Sequence, residues 1–419
     1  MKRKFVSAVS AAACMSVLLC ACSSGEEENV FTGDKTEMPA YQANLDAISP
    51  AAYSETEGLD LEPGTYISVI GKEENTAYWQ QIKAGVQQAA DDLNNTLGYS
   101  GSDAVKVVFN APAKGEDIDE QVNILDEELA RYPDVIAIAS IDEDASAVQF
   151  DLATENGIPI VSFDSGNVYQ GIQCTCRTDN TAAASVAASH LCEAIDDQGE
   201  IALIVHDSVS ESAKERETAL KEEIASNHPE VSVVETIYMD QLDELKRPAA
   251  AEQLGVSQEE LEAAMEGDSS EEEEQEESAA AGTSEENEQK LEEVITQAES
   301  MSDEAAVAYY LDKHPELAGC FGTNASATQL AVSALNTSER IEQITVMGFD
   351  AGKEQLASLE NGEVDGLLVQ NPFGIGYAAV IASARTVLEI GNEAEVDTGY
   401  VWVTQDNRED ESVSAMLYE

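Results

Sequence analysis

The sequence predicts an α/β chain of two doubly wound parallel-sheet lobes. Three observations predict it. From residue 64 onward, short β-branched and apolar runs alternate with amphipathic stretches of helical period. The apolar runs are continuous, the pattern of strands covered by helices on both faces. The rhythm repeats from residue 171 and reaches 403 with one interruption, and 64–419 is long enough for two lobes of ordinary domain size.

In chain order, 65–71 reads as a buried strand and 78–93 as a helix. Residues 105–109 read as a strand, 118–130 as a helix, 135–139 as a strand and 145–155 as a helix. The strand 158–163 closes this series. A short strand at 171–176 precedes a helix at 181–195, then a strand at 201–205, a helix at 212–225 and a strand at 231–238. After the interruption, 317–323, 344–348, 364–370 and 400–403 read as strands, with helices between most of them.

The interruption, 241–300, is an acidic low-complexity insertion, with acidic runs at 271–274 and 276–277. Like charges at that density repel and few apolar groups are available for a core, so it reads as solvated. Ser257-Gln258-Glu259-Glu260 is a capping-box pattern that opens a short helix there.

The first residues read as an address. Lys2, Arg3 and Lys4 precede an apolar run that ends in Leu19-Cys20-Ala21-Cys22. The run is short for a membrane span and has the make-up of a secretory signal. Small residues before a Cys resemble the bacterial lipobox, which implies cleavage after Ala21 and a diacylglycerol on Cys22. Residues 1–21 are then signal peptide, and the polar, acidic stretch 22–63 is a flexible tether. This places the protein on the extracellular face of the bacterial cytoplasmic membrane.

A net charge of −62, from 83 acidic and 21 basic residues, excludes nucleic acid and anionic lipid surfaces as partners. It favours a neutral or cationic ligand. There is no G-x-S-x-G elbow, H-E-x-x-H or P-loop pattern, and only four His occur, so no enzyme or cofactor is expected. Of seven Cys, those outside the leader and Cys22 are Cys174, Cys176, Cys192 and Cys320. They read as core thiols, with a Cys176–Cys192 disulfide or a metal site with His190 as lesser readings.

In doubly wound sheets, ligands sit beyond the carboxyl ends of the strands. Those ends carry Tyr78 and Trp79, Asp164, Thr178-Asp179-Asn180, Arg216, Asn324, Asp350 and Gln370-Asn371. Aromatic faces cover sugar C–H faces, carboxylate and amide oxygens accept from hydroxyls, and Arg supplies a rigid fork of donors. A polyol needs this mixture.

Tyr78-Trp79-Gln80, Phe163-Asp164-Ser165, Thr178-Asp179-Asn180, Phe321-Gly322-Thr323-Asn324, Met347-Gly348-Phe349-Asp350 and Gln370-Asn371-Pro372 resemble the ribose-type periplasmic binding proteins of ATP-driven sugar importers. The resemblance implies the type I fold, with three hinge crossings near Thr178, Gln370 and Ile390. The lobes are then 64–178 plus 371–389, and 179–370 plus 390–419. It implies Asp164, Arg216, Asn324, Asp350 and Gln370 as polar sugar ligands, and Tyr78 and Trp79 as stacking aromatics. It also implies an ABC permease and its ATPase as partners. Ser165 stands where ribose binders carry Arg, and Thr76 where they often carry Asn, so the ligand class is hydroxyl-rich without being ribose in particular. The second lobe's stacking aromatic is expected near 238–241. A sensory receptor of the same fold is the alternative reading.

Overall fold

Apolar strand runs drive the first lobe. The computed structural model describes residues 39–257, 261 and 281–418. Its first elements are α1 (Gln42–Asp46), β1 (Tyr66–Ile70), α2 (Ala77–Leu97), β2 (Lys106–Asn110), α3 (Ile118–Leu129), β3 (Val135–Ile138), α4 (Ala147–Glu155), β4 (Ile160–Phe163) and β5 (Ile172–Arg177). The chain then crosses to the second lobe: α5 (Asn180–Ala194), β6 (Gly199–Val205), α6 (Glu211–Asn227), β7 (Val231–Tyr238), α7 (Leu242–Gln253), α8 (Ala281–Ser300), α9 (Asp303–Asp312), β8 (Leu317–Gly322), α10 (Ala325–Thr337), β9 (Thr345–Phe349), α11 (Lys353–Asn361) and β10 (Gly366–Gln370). It returns for α12 (Pro372–Val387) and β11 (Glu395–Asp397), and crosses again for β12 (Tyr400–Val403) and α13 (Glu411–Ser414).

The two sheets repeat one plan. The first has the order β11-β5-β4-β3-β1-β2 and is parallel throughout. The second has the order β12-β10-β9-β8-β6-β7 and is parallel except where β12 runs against β10. Equivalent strands therefore present equivalent carboxyl ends: β1 with β6, β4 with β9, β5 with β10.

Helix α2 shows how local pattern becomes packing. Trp79, Ile82, Gly85, Val86, Ala89, Ala90 and Leu93 recur at helical spacing and are its buried face. That face lies on α12, which is buried nearly all round and starts at Pro372 under the Asn371 cap. The helices touch backbone to backbone. A Cβ on Gly85 would stand 2.0 Å from the Phe373 carbonyl oxygen, and one on Gly376 2.1 Å from that of Ile82.

Two boundaries differ from the sequence expectation. Residues 40–63, expected within the tether, pack on the first lobe: Leu45, Ile48, Tyr53, Leu59 and Leu61 are buried in its core. Their apolar residues follow no helix or strand period, so pattern reading misses them. The third crossing, expected near Ile390, falls after Asp397, because β11 pairs with β5 and Asp397 bridges to Ser49. A strand of three residues with only Val396 buried has no sequence signature.

The insertion is not solvated throughout: α7 and α8 lie within 241–300, and Ala249, Ala250, Ala251, Leu261, Val294 and Ala298 there form a small core with Met301 and Ala306. The acidic runs at 271–277, most of the capping-box pattern, and the leader with Cys22 lie outside the described residues. The four remaining Cys are free and buried. The Cys176–Cys192 pairing is overturned, because Cys176 lies in the first sheet and Cys192 on α5 against the second.

Candidate functional site

The site grows from four strand ends. Asp164 follows β4 and Asp350 follows β9, at matching places in the two sheets. Both have left-handed backbones, with φ of 58° and 72°. Each is held there by its own N–H: Asp164 donates to Cys176 O at 3.0 Å, and Asp350 to Leu368 O at 2.8 Å. Non-glycine residues in this region cluster at functional sites.

From the second lobe a chain of hydrogen bonds converges. The Arg216 guanidinium donates through Nε to Asn180 Oδ1 at 2.8 Å, through Nη1 to Thr323 O at 2.8 Å and through Nη2 to Gln370 Oε1 at 2.7 Å. Gln370 Nε2 donates to Asp350 Oδ1 at 2.9 Å, and the Ala325 N–H to Oδ2 at 3.1 Å. The guanidinium also lies 4.1 Å over the Phe349 ring. Burial raises the Asp350 pKa, while Arg216 and Gln370 pull it back. Asn324 caps α10, accepting the Ala327 N–H at 2.8 Å, and its amide NH2 makes no hydrogen bond among the described residues.

From the first lobe comes Tyr78, whose phenol donates to Asp164 Oδ1 at 2.5 Å. Tyr78 packs against the cores of both lobes. Burial raises its pKa well above the phenol range, and the Asp164 and Asp350 carboxylates raise it further. Trp79 does not reach the second lobe. It packs in the first lobe's core, edge-on to Tyr78 at 5.7 Å and to Phe163 at 6.4 Å. The structure thus brings Tyr78, Asp164, Arg216, Asn324, Asp350 and Gln370 to one interlobe cleft, with Trp79 behind it.

Sequence reasoning missed a second cross-lobe pair. Lys72 follows β1 and Asp207 follows β6, again at matching places. The buried Lys72 ammonium lies 3.9 Å from Asp207 and 3.9 Å from Glu116, and makes no hydrogen bond among the described residues. Burial opposes its charge, but Glu116, Asp207 and Asp164 outweigh burial and raise its pKa. Burial also opposes the charge of Asp207, and the Lys72 ammonium and the Ser210 hydrogen bonds hold its pKa down nonetheless. The strand-end rule that selected Asp164 applies equally to Lys72 and could have found it.

Ser165 faces away, donating to Ser140 O at 2.6 Å. Tyr238, where a stacking aromatic was expected, donates instead to Glu217 Oε1 at 2.8 Å. Ion pairs line the cleft rim: Arg177 meets Glu211 at 3.2 Å and Glu215 at 3.0 Å, and Lys214 meets Glu143 at 3.4 Å. No cluster of metal-ligating side chains occurs among the described residues.

Two α/β lobes of one plan, with charged and hydrogen-bonding groups from both at a shared crevice, are the architecture of the periplasmic binding proteins. A sequence profile for the periplasmic binding protein domain matches residues 67–269 and 250–390, and the chain belongs to that family. No curated protein sequence matches it. Solved structures share the fold. A carbohydrate transporter solute binding protein from Agrobacterium radiobacter, in complex with D-arabinose, is 23% identical with a TM-score of 0.62, over 84% of this chain and 98% of that one. An ABC transporter solute binding protein from Agrobacterium vitis, bound with α-D-tagatopyranose, is 21% identical with a TM-score of 0.63, over 85% and 99%. GanP, a glucose-galactose binding protein from Geobacillus stearothermophilus, is 18% identical with a TM-score of 0.61, over 82% and 98%.

Proposed function

We propose that the chain is a lipid-anchored extracellular solute-binding protein that captures a sugar or sugar-like polyol between its lobes and delivers it to an ABC permease driven by its ATPase. The observation that carries this reading is Tyr78, which packs against the cores of both lobes, bonds Asp164 of the first and feels the Asp350 carboxylate of the second, itself held by the Gln370–Arg216 chain. Carboxylates accept from hydroxyls, while the Lys72 ammonium and the Asn324 amide donate. Among these groups the cations Lys72 and Arg216 are outnumbered by Asp164, Asp207, Asp350 and Glu116, so a neutral ligand fits better than an anion. Closure is favoured because contacts from both lobes to one ligand exist only in the closed form. The resemblances to sugar-binding transporter components support the ligand class.

The test is a thermal-shift screen of residues 40–419 against pentoses, hexoses, polyols and nucleosides, followed by calorimetry on each hit. A saturable sugar or polyol response is expected; response only to another ligand class would overturn the reading. For the anchor on Cys22, a Cys22→Ser chain is expected to leave the membrane fraction, and its retention there would refute lipidation.

A further inference from the structure

We infer that Thr178 and Thr398, on neighbouring hinge crossings, bias the protein toward its open form and so set its sugar affinity below what the cleft contacts alone would give; this rests on the sugar-binding reading above. Thr178 follows β5 and leads into α5, and Thr398 follows β11 and leads into β12. Strands β5 and β11 pair as far as Arg177 and Asp397, so the two threonines stand one residue past the last pair, where both segments leave the first sheet. The crossings are joined there. The Thr398 N–H donates to Arg177 O at 3.0 Å, and the Asp179 N–H to Asp397 Oδ1 at 3.4 Å. Thr178 is 1% exposed and Thr398 0%. Neither hydroxyl has a hydrogen-bond partner among the described residues.

The remaining crossing is different. Gln370 accepts from Arg216 and donates to Asp350. Asn371 Oδ1 accepts from Asn44 Nδ2 at 3.0 Å and from the Gly374 N–H at 2.9 Å. Asn371 Nδ2 donates to Asn44 O at 2.7 Å and to Thr398 O at 2.8 Å. Each side-chain polar atom of that crossing is bonded, while each of the two neighbouring crossings carries a buried hydroxyl that is not.

The lobes are closed in this structure, since Tyr78 packs against both cores and Lys72 lies 3.9 Å from Asp207. A buried hydroxyl without a partner bears its full desolvation penalty, and a bonded or hydrated one does not. Opening turns the lobes through backbone changes at the crossings. A turn at 178 and 398 gives their hydroxyls access to water, so the penalty belongs to the closed form. Apparent affinity falls with the fraction of molecules that are competent to bind. Two threonines at the hinge therefore keep the receptor open until a ligand supplies the missing contacts, and favour its release afterwards.

Calorimetry and thermal unfolding of residues 40–419 test this with D-arabinose, D-xylose, D-glucose and D-galactose. The variants are Thr178→Val and Thr398→Val, which remove the hydroxyl and keep the shape, and Thr178→Ser and Thr398→Ser, which keep the hydroxyl. Each valine variant is expected to tighten every sugar that the parent binds by about five-fold or more, without changing the preference among them. Its ligand-free Tm is expected to stay at the parent's, because the open form already hydrates the hydroxyl. The serine variants are expected to keep parental affinity. Unchanged or weaker affinity in both valine variants would overturn the inference. So would a rise in ligand-free Tm without tighter binding, which would place the penalty in both forms. Either valine variant decides alone should the other fail to fold, and failure of both to fold would mean that the hydroxyls are bonded in the native chain. A parent that takes no sugar or polyol overturns the functional reading, and this inference with it.

Discussion

Asp350 spends both carboxylate oxygens on partners from its own lobe, Gln370 and the Ala325 N–H. Removing the side chain leaves the buried Gln370 amide without its acceptor and, on the proposed function, takes a charge-assisted bond from the ligand. Asp350→Ala is expected to weaken sugar binding by about 1.5–3 kcal/mol, read by calorimetry; unchanged affinity would refute its role. His206 offers a second check at this scale. It sits buried beside Asp207, its backbone N–H bonded to Thr323 Oγ1 at 3.0 Å. Burial lowers its pKa from 6.5 to about 3, so the folded state keeps it neutral. The unfolded chain takes up that proton below pH 6.5 and the folded chain does not until near 3, so stability falls as pH falls through this window. At pH 5 the loss from this group is about 2 kcal/mol. His206→Gln is expected to lose less stability than the parent between pH 7.5 and 5 in denaturant titrations. Equal losses would show that His206 is not held neutral.

The α2–α12 pair is the element on which the first lobe's cleft wall depends, because Tyr78 stands in the first turn of α2. Its contact needs glycine at both Gly85 and Gly376, since a methyl at either would press on a carbonyl oxygen of the other helix. Backbone cannot yield as a flexible side chain does. Gly376→Ala is expected to destabilise by at least about 1–3 kcal/mol, measured as a fall in Tm or in denaturant midpoint. Because α2 would shift, sugar affinity should fall with it. A variant of parental stability would mean that the helices pack with more room than the structure gives them.

At the scale of the whole molecule the question is what holds the lobes together. Arg177 leaves the first sheet and meets Glu211 and Glu215 on α6 of the second lobe, and Lys214 of α6 reaches back to Glu143. Pairs at the rim are partly exposed and therefore screened by salt. The parent's sugar affinity is expected to fall more steeply than that of a Glu211→Gln/Glu215→Gln variant as NaCl rises from about 0.05 to 0.5 M. Comparing the two removes the general effect of salt on so acidic a chain. Parallel curves would mean that the rim pairs do not act as a latch.

The repeated alternation of apolar runs and helices was legible before any coordinates, because strands buried on both faces must be continuously apolar. Polar residues just past those runs were legible too: Asp164, Arg216, Asn324, Asp350 and Gln370 lie at strand ends or on the helices that follow them. The types of Lys72 and Asp207 gave no hint that they pair, since their partnership exists only once the carboxyl ends of β1 and β6 are brought together across the cleft. The core-forming stretch 40–63 has no period to read. Trp79 and Tyr78 are neighbours with equal claims on paper, and only the direction in which α2 presents each of them separates the core residue from the cleft residue. The sequence by itself determined most strands and their covering helices, the two-lobe plan and the kind of chemistry at the strand ends, because these follow from local periodicity and side-chain type. Tertiary structure alone decided which side chains face one another, because contacts between residues hundreds of positions apart are set by packing.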